Sequence, residues 1–218
     1  AQNVHEQELK RKSELKALQS QINPHFLFNT LNSINRTVML GRREQALTML
    51  DSLAVLLRYN LADAQMPALL GEELGITEEY LKIQKMRFSS RLNVDVRHDR
   101  KLEQAVTLPR FTLQPLVENA VIHGLEPKEE GGTLILDVRK TGNYIRIRIC
   151  DNGMGIEKER LERIRRRLSE KQPERIGVWN IWQRLSLYTG RDDSLKIMSK
   201  KGAGTIVSIY LHRGEEDV

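Results

Sequence analysis

The chain has 218 residues, a formal net charge of +6 and a single cysteine. This length predicts one or two domains, one cysteine excludes an internal disulfide, and no apolar run reaches the roughly 18 residues of a membrane-spanning helix. The excess positive charge could attract a nucleotide, an acidic protein or nucleic acid, although an ordinary basic surface explains it equally well. Because the chain begins at Ala1 rather than Met, we expect a fragment whose membrane segment, if any, lies upstream.

Residues 5–38 predict a long helix with two apolar faces separated by a polar stripe. His25 and Asn29 lie on this stripe, one helical turn apart. Two apolar faces need two packing surfaces, and a single hairpin cannot bury both, so we expect a helix bundle formed by dimerisation. The two faces consist of Leu15, Leu18, Ile22 and Phe26, and of Leu27, Leu31, Ile34 and Val38.

The remaining pattern divides the chain into three parts. After "GRRE", a second amphipathic helix runs to about residue 64, "MPALLG" reads as a connector, and a third helix spans 72–88. Alternating and apolar runs then predict strands, mixed with helices. We therefore predict an α+β fold with helices in 1–65, a connecting helix in 66–90 and a mixed part in 91–218. The strands are predicted at 92–98, 133–140, 144–150, 194–200 and 205–211, and the helices at 111–125, 157–170 and 178–189.

Three short motifs in the last part carry candidate chemistry. In "ENAVIHG", Asn119 and His123 are four residues apart and share a helix face. An asparagine amide oxygen is a neutral hard ligand suited to a Mg²⁺ ion that also binds phosphates. Alone, the motif is weak, because an Asn and a His on a helix are more often surface or capping residues.

The second motif, "DNGMGI", follows a strand directly, and the third, "GAGT", opens the final strand. Asp151 at a strand end can accept a hydrogen bond from an exocyclic amine. Gly153 and Gly155 allow the backbone to turn sharply and approach a flat ligand. Each motif alone is also consistent with an ordinary turn.

The order and spacing of these motifs resemble the ATP-binding domain shared by gyrase, MutL and histidine kinases, the Bergerat-type fold, over roughly residues 90–213. The resemblance implies that Asn119 ligates Mg²⁺ and that Asp151 binds the adenine amino group. It places Gly177 on the mobile-lid side and residues 202–205 on the wall near the base and phosphates. No P-loop occurs, so a Walker-type site is not expected. The residues assigned to nucleotide binding are Asn119, His123, Asp151, Gly153, Gly155, Ile156, Gly177, Gly202, Gly204 and Thr205.

The stretch "NPHFLFN" ahead of this domain is similar to the phosphoacceptor box of LytS/YesM-like sensor histidine kinases. "LQPLVENAVIHG" resembles their asparagine box and "YLKIQKMRF" their connecting helix. The resemblance implies that His25 attacks the γ-phosphoryl of Mg-ATP, since a neutral imidazole nitrogen is a good nucleophile near neutral pH. The phosphoryl group would pass to an aspartate on the receiver domain of a response regulator. It also implies a homodimer that forms the cytoplasmic part of a membrane sensor.

Pro24 lacks an N–H and crowds the preceding turn, so it predicts a kink immediately before His25. We hypothesise a hinge through which signals reposition His25. Pro24→Ala should then uncouple the signal from phosphorylation and leave ATP binding intact, and regulation that survives this substitution would exclude the hinge.

Several positions leave alternatives open. Many histidine kinases have an acidic residue directly after the phosphoacceptor, but this chain has Phe26, so the box identifies no general base. Glu118 is a catalytic candidate only because it neighbours Asn119, and an ordinary exposed glutamate is an equal alternative. Asn29 could orient a water molecule or simply pack.

Two further groups lie near the expected lid. Trp179 and Trp182 favour packing of a helix against the sheet over stacking on adenine. The basic run at 160–168 could contact phosphates or an acidic regulator, or form a solvated helix face. With 5% aromatic residues and no recognition helix, nucleic-acid binding is not indicated.

Two other functions remain compatible with parts of the sequence. An ATP-binding regulator of the same superfamily could phosphorylate serine, or bind a partner without transfer, but this leaves "NPHFLFN" unexplained. A dimerisation module with a decayed nucleotide site conflicts with the intact Asn119, Asp151 and glycine positions.

Overall fold

The computed structural model describes residues 24–61, 66–171 and 177–212. The chain divides into two compact units, Ala1–Asp63 and Ala64–Val218. The predicted kink depends on residues before Pro24 and lies outside the described residues. The described helices of the first unit are α1 (Pro24–Met39) and α2 (Arg43–Asn60).

The first unit is a helical hairpin closed by a short turn. Gly41 adopts φ +72° there, and its N–H donates to the carbonyl of Val38 at 2.9 Å. The seam between the two helices buries Thr30 and Ile34 of α1, whereas Leu31 and Val38 of its predicted apolar face are exposed in the single chain. The buried side chains of α2 that complete the seam are Ala46, Met49, Ser52, Leu53 and Leu56.

The second unit is built around a five-stranded mixed sheet in the order β2-β4-β5-β7-β6. Strands β2 and β4 pair in parallel, and the other neighbours are antiparallel. Burial alternates strictly along β5, so one sheet face carries the core beneath the helices. The sheet strands are β2 (Leu92–Arg97), β4 (Gly132–Thr141), β5 (Tyr144–Asp151), β6 (Leu195–Lys200) and β7 (Gly204–His212).

The helices of this unit supply the other layer. Tyr80 of α3 and Leu113 of α5 are both fully buried. A π-helical turn, Ala120–Leu125, follows α5 without a break. The helices are α3 (Leu70–Phe88), α4 (Arg100–Ala105), α5 (Leu113–Asn119), α6 (Lys158–Ser169) and α7 (Gly177–Thr189), with a short 3-10 turn at Ser89–Arg91.

The predicted α+β class, a helical part followed by a mixed sheet with helices, is confirmed. The interpretation of "MPALLG" as a simple connector is wrong, because β1 (Pro67–Leu69) pairs antiparallel with β3 (Thr107–Pro109) and Leu70 begins α3. Strands of three residues are too short to show a period of two. The three-part division at 65 and 90 stays a prediction.

One glycine of this unit should be intolerant of any side chain. Gly204 has φ +104°, and a Cβ built there would lie 1.9 Å from the carbonyl oxygen of Asp151. Gly142 is a matched control, because its φ is +57° but no atom lies within 4 Å of its Cβ position. We expect Gly142→Ala to cost about 1 kcal/mol of unfolding free energy, and Gly204→Ala to cost clearly more, since backbone atoms must move. Urea unfolding measures both, and equal losses would contradict the close approach.

Candidate active site

His25 lies on an exposed part of α1. The side-chain amide Nδ2 of Asn29, one turn later, is 3.1 Å from its Nε2 and 3.3 Å from its Nδ1. An amide N–H can donate to an imidazole nitrogen and so restrict the rotation of the ring. The exposed imidazole is accessible to a reactant, and Asn29 is placed to orient it.

A cavity of about 400 Å³ lies in the second unit between the buried sheet face and the helices. Its floor is apolar, with Ile149 and Val207 on the sheet and Leu116 on α5. This mixture of apolar walls and few polar groups is typical of ligand sites. The predicted nucleotide residues that line it are Asn119, His123, Asp151, Gly155, Ile156, Gly177 and Thr205.

Asp151 is the buried carboxylate of this cavity, at the end of β5. Burial raises the pKa of its carboxyl, and hydrogen bonds from the backbone N–H groups of Gly153 and Thr205 offset part of that rise. The Gly153 N–H donates to Oδ1 at 2.9 Å. The remaining acceptor capacity of the carboxylate is available to a hydrogen-bond donor in the cavity.

The glycines after Asp151 hold backbone segments together. A Cβ at Gly153 would lie 2.1 Å from the carbonyl oxygen of Gly124, and one at Gly155 would lie 2.1 Å from that of Lys200. These close backbone contacts are a structural reason for both glycines, and the predicted approach to a flat ligand stays a prediction. Gly153, Gly202 and Gly204 lie outside the cavity lining formed by the described residues, so their contact with a ligand stays a prediction.

Gly124 is a site residue that the sequence did not reveal. A Cβ there would lie 2.7 Å from Oδ1 of Asp151, and its carbonyl accepts the Met154 N–H at 2.9 Å. Gly124 therefore joins the end of the π-helical turn to the loop after β5. The only sequence signal was its place in "ENAVIHG".

Asn119 ends α5, and His123 follows on the π-helical turn. Single π-helical turns inside α-helices are frequent at functional sites. Nδ2 of Asn119 is 4.0 Å from the position of a Cβ on Gly177, so a Cβ at 177 would be in ordinary van der Waals contact with it. The structure thus brings the predicted metal ligand beside the predicted lid glycine.

The donor set suits a metal ion that is shared with phosphates. Within residues 24–61, 66–171 and 177–212, no group of three His, Cys, Asp or Glu side chains could hold a metal alone. Mg²⁺ keeps several waters and commonly takes one or two protein ligands plus substrate phosphates. The amide oxygen of Asn119 at the cavity fits that arrangement as the one protein ligand.

Other predicted residues fall outside the cavity. Glu118 is half-buried, is not a lining residue in the described part of the chain, and its charge adds to the burial that raises the pKa of Tyr80. Its catalytic role stays a prediction. Trp179 and Trp182 are buried with ring centroids 4.8 Å apart, and Nε1 of Trp182 donates to the carbonyl of Asp192 at 2.9 Å. These contacts favour the packing interpretation of the indoles.

The basic run on α6 has two separate roles. Arg160 lines the cavity, which places a cation at its edge. Arg165 donates through Nε and Nη2 to the carbonyl oxygen of Ile197, at 3.1 and 2.6 Å. The run therefore includes a cavity residue and a residue that ties α6 to β6, in addition to solvated arginines.

Two family models match the chain. One, described as histidine kinase, matches residues 13–92. The other, described as histidine kinase-, DNA gyrase B-, and HSP90-like ATPase, matches residues 105–215, half of the chain. The chain belongs to this ATPase family.

Similar full-length proteins are sensor histidine kinases. Sensor histidine kinase YesM of Bacillus subtilis is 36% identical over 210 residues, which are 96% of this chain and 35% of that protein. Sensor histidine kinase YpdA of Escherichia coli is 34% identical over 207 residues, 94% of this chain and 35% of that protein. The chain thus spans about a third of these relatives. The predicted resemblance to sensor histidine kinases is confirmed.

Among solved structures, the chain is similar to the histidine kinase domain of the Erythrobacter litoralis EL346 blue-light activated histidine kinase. The TM-score is 0.48 at 18% identity, covering 90% of this chain and 92% of that one. The Escherichia coli osmosensor EnvZ kinase domain gives a TM-score of 0.45 at 14% identity, covering 72% and 94%. In the part of the chain that the structure describes, no helix is both long and apolar enough to cross a membrane.

Proposed function

We propose that this chain is the catalytic part of an ATP-dependent protein-histidine kinase that phosphorylates itself on His25. The observation that carries the proposal is the cavity that gathers Asn119, His123 and Asp151 in a chain that also matches the histidine kinase model over residues 13–92. The phosphoryl group then passes to an aspartate of a response regulator.

In this proposal the cavity binds ATP. The Asp151 carboxylate accepts a hydrogen bond from the adenine amino group, and the apolar walls exclude water from the base. Asn119 supplies an amide oxygen to Mg²⁺, with His123 beside it, and Arg160 and Thr205 lie where they can contact the polar part of the nucleotide. When bound, Mg²⁺ neutralises phosphate charge, the main requirement of phosphoryl transfer.

The transfer itself needs one nucleophile. The lone pair of a neutral imidazole nitrogen of His25 forms a bond to the γ-phosphorus while the bond from that phosphorus to the bridging oxygen of ADP breaks. Asn29 restricts the ring through its amide N–H. An acidic residue does not follow His25, so we assign no base from the box, and Glu118 remains the candidate acid–base residue.

The partners follow from the same proposal. The hairpin exposes large apolar side chains, among them Phe28 at 67% and Leu31 at 45%. Burying them against a second copy would form the bundle of a homodimer. The receiver domain of a response regulator is the second partner, and attachment to a membrane would come from a segment outside this chain. We keep the division into 1–65, 66–90 and 91–218 as the proposed domain organisation.

The chemical stability of the product tests this function. We expect γ-labelled ATP and Mg²⁺ to label the protein, and the label to be lost in acid but kept in base, because phosphohistidine has that stability. A label stable in acid and lost in base would instead support the alternative, a serine kinase of the same superfamily. Nucleotide binding without any label would favour a binding module.

A further inference from the structure

A buried carboxylate from α3 takes the place of a helix cap for α5. Glu73 is 1% exposed, and its Oε1 accepts the N–H of Phe111 at 2.7 Å. Its Oε2 accepts the N–H groups of Thr112 and Leu113, each at 2.9 Å. Leu113 is the first residue of α5, the helix whose last residue is Asn119, and Phe111 and Thr112 directly precede it.

The helix has no local substitute for this acceptor. Thr112 precedes the first helical residue, but its hydroxyl donates to the carbonyl of Pro109 at 2.6 Å and does not cap the helix. The first N–H groups of a helix lack partners within the helix, and buried donors without acceptors are costly. Glu73 accepts the first N–H group of the helix and the two N–H groups directly before it, from 38 to 40 residues away in sequence.

Residues of α3 and of the turn after it also hold the far end of this segment. Arg87 of α3 forms an ion pair with Glu126 at 2.5 Å. Arg91, in the turn after α3, donates to the carbonyl of Lys128 at 2.9 Å. The segment from Leu113 to Leu125, which carries Asn119 and His123, is therefore anchored before its start and after its end.

We propose that Glu73 is a positioning residue for Asn119, and that it sets the placement of the metal-binding amide in the cavity. The inference rests on the proposed role of Asn119 as a Mg²⁺ ligand. Asn119 lies six residues after Leu113, about 9 Å along a helix, so a shift of the helix start is carried to the amide. Asp151 lies at the end of β5, on the sheet and not on the helix whose start Glu73 holds. Loss of Glu73 should therefore impair the Mg²⁺-dependent part of ATP binding and spare adenine recognition.

The test compares ATP dissociation constants of the 218-residue chain with Mg²⁺ and with excess chelator. The ratio of the dissociation constant in chelator to the dissociation constant with Mg²⁺ measures the contribution of the metal. We expect Glu73→Gln to lower this ratio roughly tenfold, the equivalent of one weakened charge-assisted hydrogen bond, with little change in the chelator value. Glu72→Gln is the matched control, because Glu72 is the exposed neighbour that pairs with Arg110 at 3.1 Å.

Two further variants give reference values for the ratio of dissociation constants. Asn119→Ala should bring the ratio to about one, and Asp151→Asn should weaken both constants and leave the ratio unchanged. If Glu73→Gln does not fold, Glu73→Asp keeps the charge but shortens the side chain by one methylene, and an intermediate ratio is expected. A mere structural role would lower stability without changing the ratio of the folded protein.

Failure of the inference and failure of the proposed function give different results. A wild-type ratio near one that is unchanged in Asn119→Ala would contradict the proposed role of Asn119 as a Mg²⁺ ligand, and with it the positioning role of Glu73. A high wild-type ratio that persists in folded Glu73→Gln would overturn the positioning role alone. Faster amide hydrogen exchange at residues 111–113 in Glu73→Gln, with unchanged exchange in β5, would support the loss of the anchor.

Discussion

His25→Gln abolishes covalent labelling by γ-labelled ATP and leaves the affinity for ATP unchanged: this is the largest effect we expect. Glutamine has a similar reach and can accept hydrogen bonds, but its amide nitrogen has no available lone pair to attack phosphorus. His25 is exposed, so the substitution should leave the unfolding free energy within about 0.5 kcal/mol of wild type. Loss of label without loss of binding separates the acceptor from the nucleotide site.

A second histidine provides the control for this experiment. His212 is exposed at the end of β7, and His212→Gln should label like the wild type. Asn119→Ala should lose the label for a different reason, since the Mg²⁺ ligand is removed while the acceptor stays. Label that persists on His25→Gln would show that the acceptor lies elsewhere in the chain and would overturn the central assignment.

Asp151→Asn should weaken ATP binding strongly and yet leave the fold as stable as the wild type or more so. The amide presents a donor where the carboxylate offers only acceptors, and loss of a hydrogen bond to a charged group costs about 1.5–3 kcal/mol, roughly 10- to 150-fold in affinity. The Gly153 N–H can still donate to the side-chain oxygen at position 151. Titration calorimetry with ATP and urea unfolding on the same sample measure both effects.

The pH dependence follows from the raised pKa of Asp151. ATP binding needs the ionised carboxylate, so the affinity should fall as the pH falls through this raised pKa, at a higher pH than for an ordinary aspartate. The affinity of Asp151→Asn should not show this step.

The unfolding free energy depends on the ionisation of Asp151 with the opposite sign. An acid whose pKa is higher in the folded state stabilises the fold below its unfolded pKa, and this contribution is lost as the pH rises through the folded value. The stability gain of Asp151→Asn should therefore be present near neutral pH and shrink in acid. A gain that grows in acid would contradict the raised pKa.

Much of the molecule could be predicted from near neighbours in the sequence. The alternation in "YIRIRIC" predicted β5, and β5 spans Tyr144–Asp151. "DNGMGI" and "ENAVIHG" predicted residues that share a cavity, and Asn119, His123 and Asp151 all line it. These predictions succeed because side-chain periodicity and turn chemistry are local properties of the chain.

The sequence by itself determined the family and the class of fold, and it predicted the chemistry that we propose for His25 and Asp151. Only the tertiary structure decided which segments that are distant in sequence meet. Strand β2 pairs in parallel with β4, the backbone of Gly124 contacts that of Gly153, and Glu73 accepts a hydrogen bond at the start of α5. Such contacts satisfy buried backbone groups that lie tens of residues apart. These contacts produce no periodic pattern in the sequence, because any acceptor or glycine that folding brings to the right place can make them.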